Sequence, residues 1–131
     1  MSKPQISDAE WTVMRVLWER SPASARDVLE AAQPATGWAY TTVKTILDRL
    51  VEKEVLKTKK RANVLFYAPR LSRDAARARA VSSLVERAFE GTFGSLVQHL
   101  VTEERLTASE RAELRSLLDA HDREHPPEEP A

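Results

Sequence analysis

The chain has no cysteine. That excludes a disulfide staple, a thiolate metal site and cysteine-based redox sensing. It has only three glycines, and none falls in a Gly-rich phosphate loop. No apolar run approaches the ~20 residues that a membrane-spanning helix needs. The start, MSKPQISDAE, lacks the apolar core of a secretory signal, so a cytoplasmic protein with no membrane contact is expected. Net charge is also missing: 20 Lys and Arg balance 20 Asp and Glu. The three histidines, His99, His121 and His125, do not form a convincing metal set. His121 and His125 are four apart, but at a terminus beside two prolines. No nucleophile motif or pair of buried carboxylates is visible, so neither an enzyme nor a cofactor is expected.

What remains is a globular composition, with 42% apolar and 31% charged residues. A length of 131 residues fits one domain or two very small ones. The charge is unevenly spread. Residues 1–70 hold 12 Lys/Arg against 8 Asp/Glu, and residues 71–131 hold the reverse balance, 8 against 12. This suggests a half that faces a polyanion and a half that faces something else.

Helix signals are frequent. Ser7 and Glu10 read as a capping box, with Ile6 and Trp11 as its hydrophobic staple. Trp11, Met14, Leu17 and Trp18 follow at helical spacing, and Pro22 places the stop near Arg20. A second helix starts at Ser24, with Asp27 completing a weaker box, and is expected to end before Pro34. A third runs from about Ala39 to Lys53, its buried stripe formed by Val43, Ile46, Leu47 and Leu50. Two strands, Leu56–Lys60 and Val64–Ala68, flank a turn at Arg61-Ala62-Asn63. Three helices and then a hairpin is the order of a winged helix-turn-helix.

The chemistry of residues 38–68 supports groove reading. No acid occurs between Trp38 and Leu47. Thr41, Thr42 and Thr45 are poor helix formers on an exposed face, which a contact role explains better than propensity does. Threonine can bond base edges or touch a thymine methyl, and Lys44 can reach guanine or phosphate. Tyr40 can stack, reach a phosphate or serve as a half-buried core residue. Arg49 fits an ion pair as well as a phosphate contact. Lys57, Lys59, Lys60 and Arg61 make the hairpin cationic, which suits phosphate and also protects a sheet edge from aggregation.

The rest is helical. Ser72 caps a helix to about Glu90, with Val81, Leu84, Val85, Ala88 and Phe89 as its stripe and Gly91 just beyond. Leu96, Val97, Leu100 and Val101 mark a short helix. Thr107 and Glu110 open another, followed by Leu114, Leu117 and Leu118. About 50 residues with three apolar stripes are too few for an independent core. The stripes pack either on the first half of the same chain or on a second copy. The second option, a two-fold homodimer, would place two reading helices about one DNA turn apart on a palindromic site. The expected architecture is therefore mainly α. It comprises a winged-helix DNA-binding domain over 1–70, a helical dimerisation domain over 71–122 and a disordered tail over 123–131.

ISDAEWTVMRVLW, YTTVKTILDRLVEK and a hairpin closing in FYAP resemble the penicillinase-repressor family, over about Ile6 to Ala120. These are bacterial transcriptional repressors of β-lactamase and methicillin-resistance genes, with copper-responsive relatives. The resemblance implies a winged helix, a homodimer, binding to a double-stranded DNA operator and repression of antibiotic-resistance-type genes. It implies major-groove contacts from Thr41, Thr42, Lys44 and Thr45, and wing contacts from Lys59, Lys60 and Arg61. Copper sensing in the family uses a C-terminal cysteine cluster, which this chain lacks. In the resistance repressors, a membrane sensor triggers proteolysis in a stretch similar to SLVQHLV, at the position of His99–Leu100. Relatives with that mechanism have Asn-Phe there. Many relatives also have glycine where Glu54 stands and in the turn near Asn63. A left-handed Glu54 would cost on the order of 1 kcal/mol. The competing reading is a winged-helix protein-interaction adaptor without specific DNA reading. The near-zero net charge and acidic second half are compatible with it.

Overall fold

The computed structural model describes residues 5–89, 92–102 and 106–126. The elements in chain order are α1 (Asp8–Glu19), β1 (Ala23–Ser24), α2 (Ala25–Thr36), α3 (Tyr40–Glu52), β2 (Leu56–Arg61), β3 (Val64–Pro69), α4 (Arg73–Ala88), α5 (Phe93–Thr102) and α6 (Ala108–Glu124). The chain divides into two compact units, residues 1–83 and 84–131.

In the first unit the caps set the helix starts. Ser7 and Ser24 each accept a bond from the backbone three residues on, and Glu10 and Asp27 return it. The core draws on every element. Val13, Met14 and Leu17 of α1 meet Val28 of α2, Val43, Ile46, Leu47 and Leu50 of α3, and Leu56 and Tyr67 of the sheet. Leu71 and Ala76, at the start of α4, join the same cluster. Burial at these positions is nearly complete, and each large side chain stabilises the unit by roughly 1.5–3 kcal/mol.

The sheet is antiparallel with order β1-β3-β2. β1 is an addition to the expected hairpin: Ala23 pairs with Tyr67 and Ser24 with Phe66. Two residues carry no readable periodicity, so it had no sequence signal. The hairpin turn is one residue shorter than expected. Arg61 pairs with Val64, leaving Ala62 and Asn63 at φ 47° and 65°. Positive φ at both central residues is the type I′ requirement, which matches the strands' twist.

Two helices end on left-handed residues. α2 does not stop before Pro34; it carries that proline and runs to Thr36. The Thr36 hydroxyl bonds the Ala32 carbonyl at 2.9 Å, and Gly37, at φ 66°, donates to Gln33 at 2.8 Å. The left-handed glycine, not the proline, ends the helix. At the end of α3, Glu54 has φ 63°. The Val55 N–H bonds the Leu50 carbonyl at 2.9 Å and the Glu54 N–H bonds that of Val51 at 3.0 Å. This is a Schellman motif, sealed by the buried Leu50 and Val55.

In the second unit, Thr107 and Glu110 form the expected capping box on α6. α6 reaches Glu124, two residues into the segment expected to be disordered. Gly91 and residues 127–131 lie outside the described residues. In the first unit, Ser72, at the root of α4, accepts from the Ala75 N–H at 3.1 Å, as expected.

Candidate nucleic-acid interface

α3 buries one stripe and shows another. Val43, Ile46, Leu47 and Leu50 are in the core, while Tyr40, Thr41, Thr42, Thr45, Asp48, Arg49 and Glu52 are exposed. The helix is oriented by its apolar side, so its polar side must face outward. Ala39 stands at the N-cap without a side-chain bond, and the first turn has no acid. The Thr42 N–H bonds the Ala39 carbonyl at 3.1 Å, and the N–H groups ahead of it are left for water or an anionic partner.

Two polar side chains on this face are already engaged. The Thr45 hydroxyl donates to the Thr41 carbonyl at 2.9 Å, which leaves its methyl group and lone pairs for a partner. Lys44 donates to Asp48 at 2.9 Å and to the Tyr67 hydroxyl at 2.8 Å. The bonds to Tyr67 and then Asp48 hold its ammonium charged, well above the ordinary lysine range. Lys44 thus points back toward the sheet in this state, and reaching a base requires it to leave Tyr67. Tyr67 is not singled out by the sequence; it is the one fully buried residue of β3. Arg49 is exposed and forms no ion pair among the described residues.

The hairpin places its cations by strand alternation. Lys57, Lys59 and Arg61 share one face of β2, and Lys60 lies on the other with Thr58. All four cations are exposed, and β2 is a sheet edge. The compact α1–α3 core fixes both the helix face and the ribbon beside it: α3 packs on α1, α2 and β2.

Residues 6–120 match the family described as penicillinase repressor. The chain belongs to the penicillinase-repressor family. It is 30% identical over 115 residues to the methicillin resistance regulatory protein MecI of Staphylococcus aureus (strain N315), covering 88% of this chain and 94% of that one. It is 31% identical over 118 residues to the penicillinase repressor of Bacillus licheniformis, covering 90% and 92%. The solution structure of the DNA binding domain of the repressor BlaI is similar at a TM-score of 0.51 and 34% identity, over 56% of this chain and 89% of that one. The first unit is thus a winged helix, as its element order anticipated.

In this penicillinase-repressor chain the apolar residues of the later helices divide into two groups. Val81, Leu84, Leu100, Leu114, Leu117 and Leu118 are exposed, Leu117 to 62%. Phe89 and Leu96 are half-buried and Val85 is buried. His99 packs edge-to-face on Phe89 at 5.8 Å, and with Leu100 it lies within α5. Helical backbone must open locally before a protease can take it in an extended form. His121 and His125 stack at 4.7 Å, but no group of three metal-ligating side chains exists among the described residues. No helix among them is long and apolar enough to cross a membrane.

Proposed function

We propose that this chain is a dimeric, sequence-specific transcriptional repressor that binds a palindromic DNA operator. One observation carries the reading. The first turns of α3 expose Tyr40, Thr41, Thr42 and Thr45 without an acid, beside a ribbon bearing Lys57, Lys59, Lys60 and Arg61, in a member of a repressor family. Uncharged donors and methyl groups suit base edges, and the ribbon's cations suit phosphate. Lys44 contributes once DNA draws it from Tyr67.

The helices after residue 71 act as the dimerisation part. Exposed Val and Leu side chains on each of α4, α5 and α6 support this, because such apolar surface is stabilised when covered. The relatives' names, methicillin resistance regulation and penicillinase repression, support control of genes of that type. Operator binding places the protein in the cytoplasm with the chromosome. No catalytic step is assigned. Release by an inducing protease at His99–Leu100 requires α5 to unfold there.

A gel shift of the full chain on random DNA at two salt concentrations tests the reading. Binding that weakens steeply with salt is expected. Absence of any DNA binding at low salt would favour the protein-interaction adaptor instead.

A further inference from the structure

The first unit also carries a cleft apart from the residues assigned above to DNA contact. Its volume is about 360 Å³, and it is lined by Trp11, Arg15, Trp18, Glu19, Arg73 and Arg77. The first four lie on one face of α1 and the last two are one turn apart on α4. None belongs to α3 or the hairpin. A volume in this range suits a small molecule.

The walls are preorganised. Trp11 and Trp18 meet edge-to-face, with centroids 5.6 Å apart at 60°. The Trp18 indole N–H donates to the Leu71 carbonyl at 2.9 Å, which fixes the ring and satisfies its one donor. The Arg73 guanidinium lies 5.7 Å from the Trp18 ring centroid. Both tryptophans remain only half-buried, although each is large enough to contribute far more in the core.

The charges are unbalanced. Three arginines and one glutamate line the cleft, a formal balance of +2. Among the described residues, Arg15, Arg73, Arg77 and Glu19 form no ion pair at all. A lining with an excess of cations that hold no ion pair favours a bound anion. The guanidinium fork matches a carboxylate, and the indole faces match an apolar body.

We propose that this cleft binds a small organic anion, a carboxylate attached to an aromatic or similarly apolar body. The arginines hold the carboxylate and the tryptophans hold the body. Glu19 selects against a second negative charge on the ligand.

The test uses the full-length, isotope-labelled protein and 2-naphthoate as the probe, followed through the indole N–H signals. Trp38, between α2 and α3, is the internal control. Saturable shifts are expected at Trp11 and Trp18, with Trp38 unmoved. Neutral 2-naphthamide should bind about tenfold more weakly, as should naphthoate to Arg15→Gln or Arg77→Gln, because each change removes a charge-assisted bond. Equal binding of the acid and the amide to the unaltered protein would overturn the proposal, whatever the variants do. So would the absence of saturable shifts at Trp11 and Trp18. Affinities unchanged in both folded variants would also overturn it. If the two changes instead lowered DNA affinity and its salt slope while naphthoate moved neither ring, these arginines would be phosphate contacts.

Discussion

Glu10 is 2% exposed, and its Oε1 accepts from Lys53 at 2.6 Å and from the Ser7 N–H at 2.8 Å. Burial raises its carboxyl pKa, but the bonds from Lys53 and Ser7 and the lysine's charge outweigh that, so the net value falls below the usual 4.5. A depressed folded value means the pair stabilises fully above pH 4.5 and loses that contribution as pH falls through the folded value. Lys53→Met would strand a buried carboxylate and should destabilise by about 3 kcal/mol. Urea unfolding between pH 3 and pH 7 checks both the loss and its disappearance on the acid side. A second residue runs the other way. Glu54 holds a left-handed angle of 63° that glycine adopts without strain. Glu54→Gly should stabilise the chain by about 1 kcal/mol, read as a higher urea midpoint.

Among the elements, the wing carries the clearest electrostatic expectation. Lys59 and Arg61 share a face of β2 and are exposed. Lys59→Ala and Arg61→Ala should each weaken binding to all DNA sequences and reduce the salt slope by about 1. Thr45→Ala on α3 should instead relax sequence preference with little change in slope. Filter-binding titrations at several salt concentrations separate the two outcomes. These elements were legible in the sequence to different degrees. The capped helices α1, α2 and α6 were readable because Ser7, Ser24 and Thr107 each have an acid three residues on. α3 was readable from its apolar stripe alone. The end of α2 is not legible, because Pro34 is a strong local stop signal, yet Thr36 and Gly37 settle the last turn. The threonines of α3 could be placed on an exposed face, but the hold of Tyr67 on Lys44 spans 23 positions and leaves no local pattern. The same limit hid the Glu10–Lys53 pair and the cleft that α1 and α4 arginines line together. Chemistry between distant segments is set by packing, which spacing does not encode.

At the scale of the molecule, the two ends of the chain have complementary needs. The first unit buries its own core and presents one reading helix with one wing. A single reading helix covers only a few base pairs, too few to single out one operator among many competing sites. The later helices leave Leu114, Leu117 and Leu118 exposed, and in the proposed dimer a second copy would both cover them and double the reading surface. The net charge of zero is consistent with this division, since the cations are concentrated in the first 70 residues, which carry the reading helix and the wing. Selection of bound fragments from a random DNA pool by the full chain tests the central claim most directly. An inverted repeat is predicted, its half-sites centred about one helical turn, or a multiple of it, apart. Recovery of a single asymmetric half-site, or of no enriched motif at all, would contradict it.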